Sequence, residues 1–267
     1  MQKHLQKPTF RLITIPVSHY CEKARWALER LNIPYIEERH VPPIHRIATS
    51  QAGGSSVPVL ITEAGTFTDS TDILHYLDRI ASVEAKLYPT DPQLRHEVEQ
   101  LADLFDTQLG PSIRCWAYFY VFDDWQLMRR LWSEGTPPVE RALFPIAFPI
   151  ARSIARRIYN ITADSAASSL DTIKSIFEMV SHRLADGRRY LVADRFSAAD
   201  LSFACFAAPI LATPEYSVKL PGLHELPSQM AAVSQELQEI PAGAYVLRLF
   251  REDRRRDRLE ERLNLAG

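Results

Sequence analysis

Cysteine is scarce in this chain: three residues in 267, with no Cys-x-x-Cys pair among them. So odd and sparse a set excludes a disulfide framework and gives no thiolate cluster for a metal, so no metal is expected. Long apolar runs are absent too. No stretch approaches the roughly 18 residues that a membrane-spanning helix needs. Charge of one sign is not in excess either: the net charge is −2, and no basic patch stands out. Nucleic acid is therefore not an expected partner. The opening residues, Met-Gln-Lys-His-Leu-Gln-Lys-Pro, lack the apolar core of a secretion signal, so the expectation is a cytosolic protein. What is present, 46% hydrophobic and 24% charged residues over 267 positions, is enough for one large or two modest globular domains.

The pattern of apolar residues divides the chain. A strand is expected over 9–16, a helix over 21–32 ended by Asn32 and Pro34, and a second strand over Tyr35–Val41. A loop rich in Pro and Gly leads to a short strand, Pro58–Thr62. A turn at Glu63-Ala64-Gly65, a last strand at 66–68 and a helix to Ile80 follow. This βαβ-ββα order predicts a mixed four-stranded sheet with a right-handed first crossover. Residues 8–83 are thus read as an α/β domain and 84–92, with Tyr88-Pro89-Thr90-Asp91-Pro92, as a linker. Residues 93–250 read as an all-helical domain, and 251–267 as a charged, solvated tail. Gly110-Pro111 is expected to kink or break the helix that carries Val98, Leu101, Phe105 and Leu109.

Four short features carry chemistry. Ser18 and Cys21 lie three residues apart where the first strand turns into the first helix. Ser18 stands at the N-cap, where backbone N–H groups and the helix dipole stabilise an anion. Ser18 has no base to make it a nucleophile, but its hydroxyl can donate to the thiolate of another molecule. Cys21 reads either as a small core residue or as a nucleophile. Val57-Pro58 reads as an edge-strand proline. If the bond is cis, it instead holds the Val57 backbone free to pair with an extended ligand. Asp69-Ser70 reads as a helix cap, or as a pair that takes the carboxylate and ammonium of a ligand. Ser197-Ala-Ala-Asp200 reads as a capping box ahead of a buried helix.

In this order the motifs S-x-x-C-x-K-x-R-x-A-L, V-P-V-L, D-S followed by Y-L-D, and S-x-A-D resemble the cytosolic glutathione S-transferase superfamily. The Ser-x-x-Cys pattern is most similar to the serine-type, theta-like members. The resemblance implies a thioredoxin-like N-terminal domain and a helical-bundle C-terminal domain. It implies glutathione as cosubstrate, a small hydrophobic electrophile as its partner in the reaction, and a homodimer. By the same matching Ser18 would activate the glutathione thiol, and Val57 with a cis-Pro58 would pair with the cysteinyl part. Asp69 and Ser70 would take the γ-glutamyl end. Asp69 stands where Glu is commoner, His19 where Pro is common, and Ser56 where several classes carry Lys. The glycyl carboxylate is accordingly left to His40, His45, Arg46 or Gln51, of which Gln51 is the first choice. Residues 133–162 look like an insertion.

Trp116, Tyr118 and Tyr120, with Trp125, are candidates for the electrophile pocket, although aromatics at helical spacing are commonly core. The stretch Ala142–Ile161 sets apolar residues beside arginines, as an interfacial helix does, but Pro145 and Pro149 count against that and no membrane association is expected. Two further functions stay open at this point: glutathione-dependent thiol transfer or reduction through Cys21, and a non-enzymatic binding or regulatory protein on the same fold.

Overall fold

The computed structural model describes residues 10–254. Strand β1 (Phe10–Thr14) leads through a tight turn into helix α1 (His19–Arg30), and β2 (Tyr35–Arg39) returns parallel to β1, with Phe10 opposite Tyr35. Helix α2 (His45–Gln51) follows, then β3 (Val59–Thr62), β4 (Gly65–Phe67) and α3 (Ser70–Ile80). The sheet runs β2-β1-β3-β4, with β3 antiparallel to both β1 and β4, so it is the mixed four-stranded sheet the pattern predicts. Leu12, Ile13 and Thr14 are all buried because β1 is central and covered on both faces. The α2 segment was expected as loop. Its start lacks a side-chain cap, it spans only seven residues, and prolines and glycines flank it, so no periodic signal marks it.

Helix α4 (Pro92–Leu104) starts where Asp91 accepts from the N–H groups of Gln93 and Leu94, both at 2.9 Å, with Pro92 in the first turn. It passes through a π-helical turn (Phe105–Leu109) into α5 (Gly110–Val121). The expected break at Gly110-Pro111 therefore takes the form of a widened turn just before it. Gly110 has a packing reason: a Cβ there would lie 2.7 Å from the Tyr20 hydroxyl and 3.2 Å from Phe206. Next come α6 (Trp125–Ser133), α7 (Pro138–Ile158), α8 (Ala163–Arg183), α9 (Ala198–Ala207), α10 (Ser228–Glu239) and α11 (Pro241–Leu249). Helix α7 is continuous over 21 residues despite Pro145 and Pro149. Both prolines are on its exposed side, where the carbonyl that each leaves without a helical donor is open to solvent. An apolar stripe on α7, including Val139, Ile146 and Ile150, also faces outward. Among the described residues no helix is long and apolar enough to cross a membrane.

The capping box forms as expected. Asp200 accepts from Ser197 N–H at 2.6 Å and from the Ser197 hydroxyl at 2.7 Å. It also accepts from Leu191 N–H and Tyr245, fastening the buried helix α9 to the last helix of the bundle. The 84–92 stretch is pinned rather than free. Leu87 and Tyr88 are buried and donate their N–H groups to Asp78 at 2.8 and 3.0 Å, and the Leu87 carbonyl accepts from Ala198.

Helix α1 differs most from its sequence pattern. Its charged residues Glu22, Lys23, Arg25 and Glu29 are buried along with Cys21, Ala24 and Trp26. The helix is wedged between the sheet and the helical domain, and its charges pair inside the wedge. Lys23 meets Asp106 at 2.5 Å, Arg25 meets Glu37 at 2.7 Å, and Arg254 meets Glu22 and Glu29 at 3.2 and 3.1 Å. Within the expected solvated tail Arg251 and Glu252 are exposed, but Asp253 and Arg254, in a π-helical turn (Phe250–Arg254), are fully buried and correct that expectation. Residues 255–267, the rest of that expectation, lie outside the described residues.

Candidate active site

The turn between β1 and α1 opens into a cavity of about 260 Å³ that lies between the α/β domain and the helical domain. Ser18 is on its wall. It caps α1: its Oγ accepts from the Cys21 N–H at 3.4 Å, which engages the oxygen's lone pair in the helix start. A hydroxyl holds one proton as well, so capping through the lone pair is compatible with donation to a ligand.

The neighbours of Ser18 are unsuited to rival roles. Cys21 points inward and is fully buried. Burial pushes its thiol up from the usual range, against an opposing pull from Arg25 and the Ser18 hydroxyl, so it stays protonated near neutrality. All three cysteines are buried and free. In the native protein they are expected to resist iodoacetamide at pH 7.5 and to react only on unfolding, as mass spectrometry of the alkylated chain would read. Rapid labelling of native Cys21 would restore it as a nucleophile. Tyr20 donates its hydroxyl to the Asp106 carbonyl at 2.8 Å, and burial pushes its pKa up to about 12. His19 is buried against Tyr20 and Phe206, and burial together with the charges of Arg114 and Lys23 holds its pKa well below the ordinary 6.5. A neutral imidazole of such low basicity does not accept a thiol proton near pH 7.

Val57 joins Ser18 on the cavity wall, and the Val57–Pro58 bond is cis. A second cis bond, Pro42–Pro43, borders the same cavity and gave no signal in the sequence. Asp69 is exposed and caps α3, accepting from the N–H groups of Thr71 at 2.7 Å and Asp72 at 3.4 Å. Ser70 is buried in the first turn. Neither lines the cavity itself, although Asp69 is near enough for its charge to act on Tyr20.

Of the four residues considered for a carboxylate, His45 and Arg46 line the cavity. Burial, with Arg46 and His40 adding to it, lowers the His45 pKa to about 4, which leaves Arg46 as the cation there. Gln51 is exposed at the end of α2 and does not line the cavity. His40 is turned away: its Nδ1 lies 2.6 Å from Glu140, whose other oxygen accepts from Val41 N–H, fastening the β2 exit to α7.

The helical domain supplies the apolar half of the chamber, from α5, α6 and α7. Tyr118 is there, as considered. Trp116 is buried in the bundle, and Tyr120 packs edge-on against it; neither lines the cavity. Trp125 packs on Phe144 and Phe148 instead. Sequence reasoning missed Trp132, Arg114 and Tyr159, all on the wall. Arg114 did leave a trace: in Ile113–Val121 it has no acidic residue three or four positions away, so no helical neighbour neutralises it. Among the described residues no group of three or more His, Cys, Asp or Glu is placed to hold a metal ion.

Comparison with known proteins places this architecture. The family model for the glutathione S-transferase N-terminal domain matches residues 12–85, and that for the C-terminal domain matches residues 139–232. The second match begins at residue 139, within the stretch 133–162 read as an insertion. Similar solved structures include a theta class glutathione S-transferase from Xanthomonas axonopodis pv. citri with glutathione bound, at TM-score 0.53 and 20% identity over 90% of this chain and 98% of that one. Ure2p5 from Phanerochaete chrysosporium, cocrystallised with 1-(S-glutathionyl)-2,4-dinitrobenzene, aligns at TM-score 0.55 and 19% identity over 93% and 97% of the two chains. Beta-etherase LigF from Sphingobium sp. strain SYK-6 aligns at TM-score 0.57 and 15% identity over 90% and 99%. No curated protein matches the chain in sequence. With both domain models matched in chain order, on a mixed four-stranded sheet joined to a helical domain, the chain belongs to the glutathione S-transferase superfamily.

Proposed function

We propose that the protein is a serine-type glutathione transferase. Glutathione would lie along the α/β domain with its cysteinyl part at Val57, its γ-glutamyl end toward Asp69 and Ser70, and its glycyl carboxylate toward Arg46. Its sulfur would meet the Ser18 hydroxyl, and the thiolate would attack an apolar electrophile held between α5, α6 and α7. The observation that carries this reading is the position of Ser18, a helix-capping hydroxyl that borders a largely apolar chamber.

The energetics are sufficient. A free thiol of pKa about 8.5 is roughly 3% ionised at pH 7. Lowering that pKa by about 2 units makes the thiolate dominant and requires about 2.7 kcal/mol. One hydrogen bond to the charged sulfur contributes about 1.5–3 kcal/mol, and a helix N-terminus about 0.3–1 kcal/mol. The protein then works by holding the cosubstrate ionised and positioned, with no covalent enzyme intermediate. The thiol-transfer alternative through Cys21 is weakened by that residue's burial and raised pKa. The same reading takes the protein as a cytoplasmic homodimer, a part that rests on family likeness alone.

Retention on immobilised glutathione, followed by turnover of 1-chloro-2,4-dinitrobenzene, tests the reading. Binding with conjugation is the expected result. Binding without conjugation of this or other activated electrophiles would make the protein a glutathione-binding member without transferase activity, and failure to bind would remove glutathione altogether.

A further inference from the structure

Among the described residues Arg114 is a cation with no anion paired to it. It projects from α5 into the cavity wall, stacked 3.9 Å from the ring centre of Tyr159 and 5.9 Å from that of Tyr20. Its Nε is buried without a hydrogen-bond partner, and among the described residues no carboxylate pairs with it. The cavity lining contains no Asp or Glu; Asp69 and Asp106, the negative charges that act on Tyr20, are engaged elsewhere. A half-buried guanidinium held against rings with its Nε unpartnered is favoured by an anion that arrives to pair with it. Its planar fork suits a carboxylate, which it can bind through two parallel N–H bonds.

The rest of the chamber describes the remainder of that ligand. Tyr118 and Trp132, packed edge-on to one another, line it beside Ile154 and Leu131, so this side of the chamber is aromatic and aliphatic and suits an apolar ring. We propose that Arg114 is a specificity-determining residue that selects aromatic electrophiles bearing a carboxylate, pairing with the carboxylate while the ring lies against Tyr118 and Trp132. This rests on the transferase reading and names its substrate class. Arg46, the other cation on the wall, is on α2 at the α/β side and is left to glutathione.

The test uses a matched pair that differs only in charge. Binding of 3,5-dinitrobenzoate and 3,5-dinitrobenzamide to the full chain, saturated with S-methylglutathione, is measured by calorimetry. The carboxylate is expected to bind at least tenfold tighter; Arg114→Met should abolish the preference and Arg114→Lys should keep part of it. Equal affinities in the unaltered protein would overturn the proposal without any variant being needed, as would a preference that survives in Arg114→Met.

The 4-chloro forms of the same pair then report the chemistry. Glutathione thiolate forms the C–S bond at the chlorine-bearing carbon, and chloride leaves with the electron pair of the C–Cl bond. Conjugation of both at equal kcat/KM, with equal binding, would sink the Arg114 assignment and leave the transferase reading standing. A tenfold binding preference with no conjugation of either would keep Arg114 as the carboxylate partner but remove the transferase reading, and with it the role in electrophile selection.

Discussion

Replacing Ser18 by Ala is expected to lower conjugation turnover about a hundredfold while changing glutathione affinity by less than about threefold, because the lost hydrogen bond to an ionised sulfur is worth about 1.5–3 kcal/mol. In the proposed pose the hydroxyl acts on the charged sulfur, whereas the peptide part of glutathione would be held elsewhere, along Val57 and the start of α3. The variant therefore separates ionisation from binding. The absorbance of bound thiolate near 240 nm, followed against pH, gives the direct readout. In the unaltered protein the bound thiol should titrate about 2 units below the free thiol, and in Ser18→Ala it should return most of the way toward about 8.5.

Ser18 also caps α1 through its bond with Cys21 N–H, so the Ala variant should lose about 1 kcal/mol of stability as well. Ser18→Thr keeps both the hydroxyl and the cap, and it should retain most of the turnover. An unaltered thiolate titration in Ser18→Ala would take Ser18 out of the mechanism.

The second large effect is on stability. Arg254→Met should cost about 3–5 kcal/mol in urea unfolding, a large share of the 5–15 kcal/mol typical of a folded domain. Arg254 is fully buried and lies 3.2 Å from Glu22 and 3.1 Å from Glu29, and its guanidinium packs over the Trp26 ring. Methionine fills a similar volume but takes a cation away from two carboxylates on α1, one of them fully buried. Removing one side of a buried ionic cluster costs far more than replacing the whole cluster with apolar groups. A loss below about 1 kcal/mol would show that the turn at Phe250–Arg254 does not fasten α1.

The α/β half was legible because each of its elements has a local signature. Leu12 to Ile15 alternates with nothing and so reads as a buried strand, Ser18 and Asp69 mark helix starts, and Pro58 and Gly65 punctuate the short strands. Helix α2 was not legible, since Ile44 at its start cannot cap it and seven residues hold fewer than two full turns. The helical side of the cavity was only partly legible for a different reason. Tyr118, Trp132 and Tyr159 come together through the crossing of three helices, and nothing local to Trp116 or Tyr120 says that their faces turn into the bundle instead.

The buried charges of α1 were hidden in the same way. Glu22, Lys23 and Arg25 look like a solvated face until their partners, Asp106, Glu37 and Arg254, are brought up from distant parts of the chain.

Asp106 has a consequence for how such proteins can be recombined. Its carboxylate receives Lys23 and Thr71, and its carbonyl receives Tyr20, so one residue of the π-helical turn holds the starts of α1 and α3 together. Gly110, one turn on, leaves the room that Tyr20 occupies. A crossover placed at 84–92, the obvious seam between the halves, would separate Tyr20, Lys23 and Thr71 from Asp106 and Gly110. Chimaeras with other family members should therefore inherit these five positions from one parent, and the natural unit of exchange is larger than either domain.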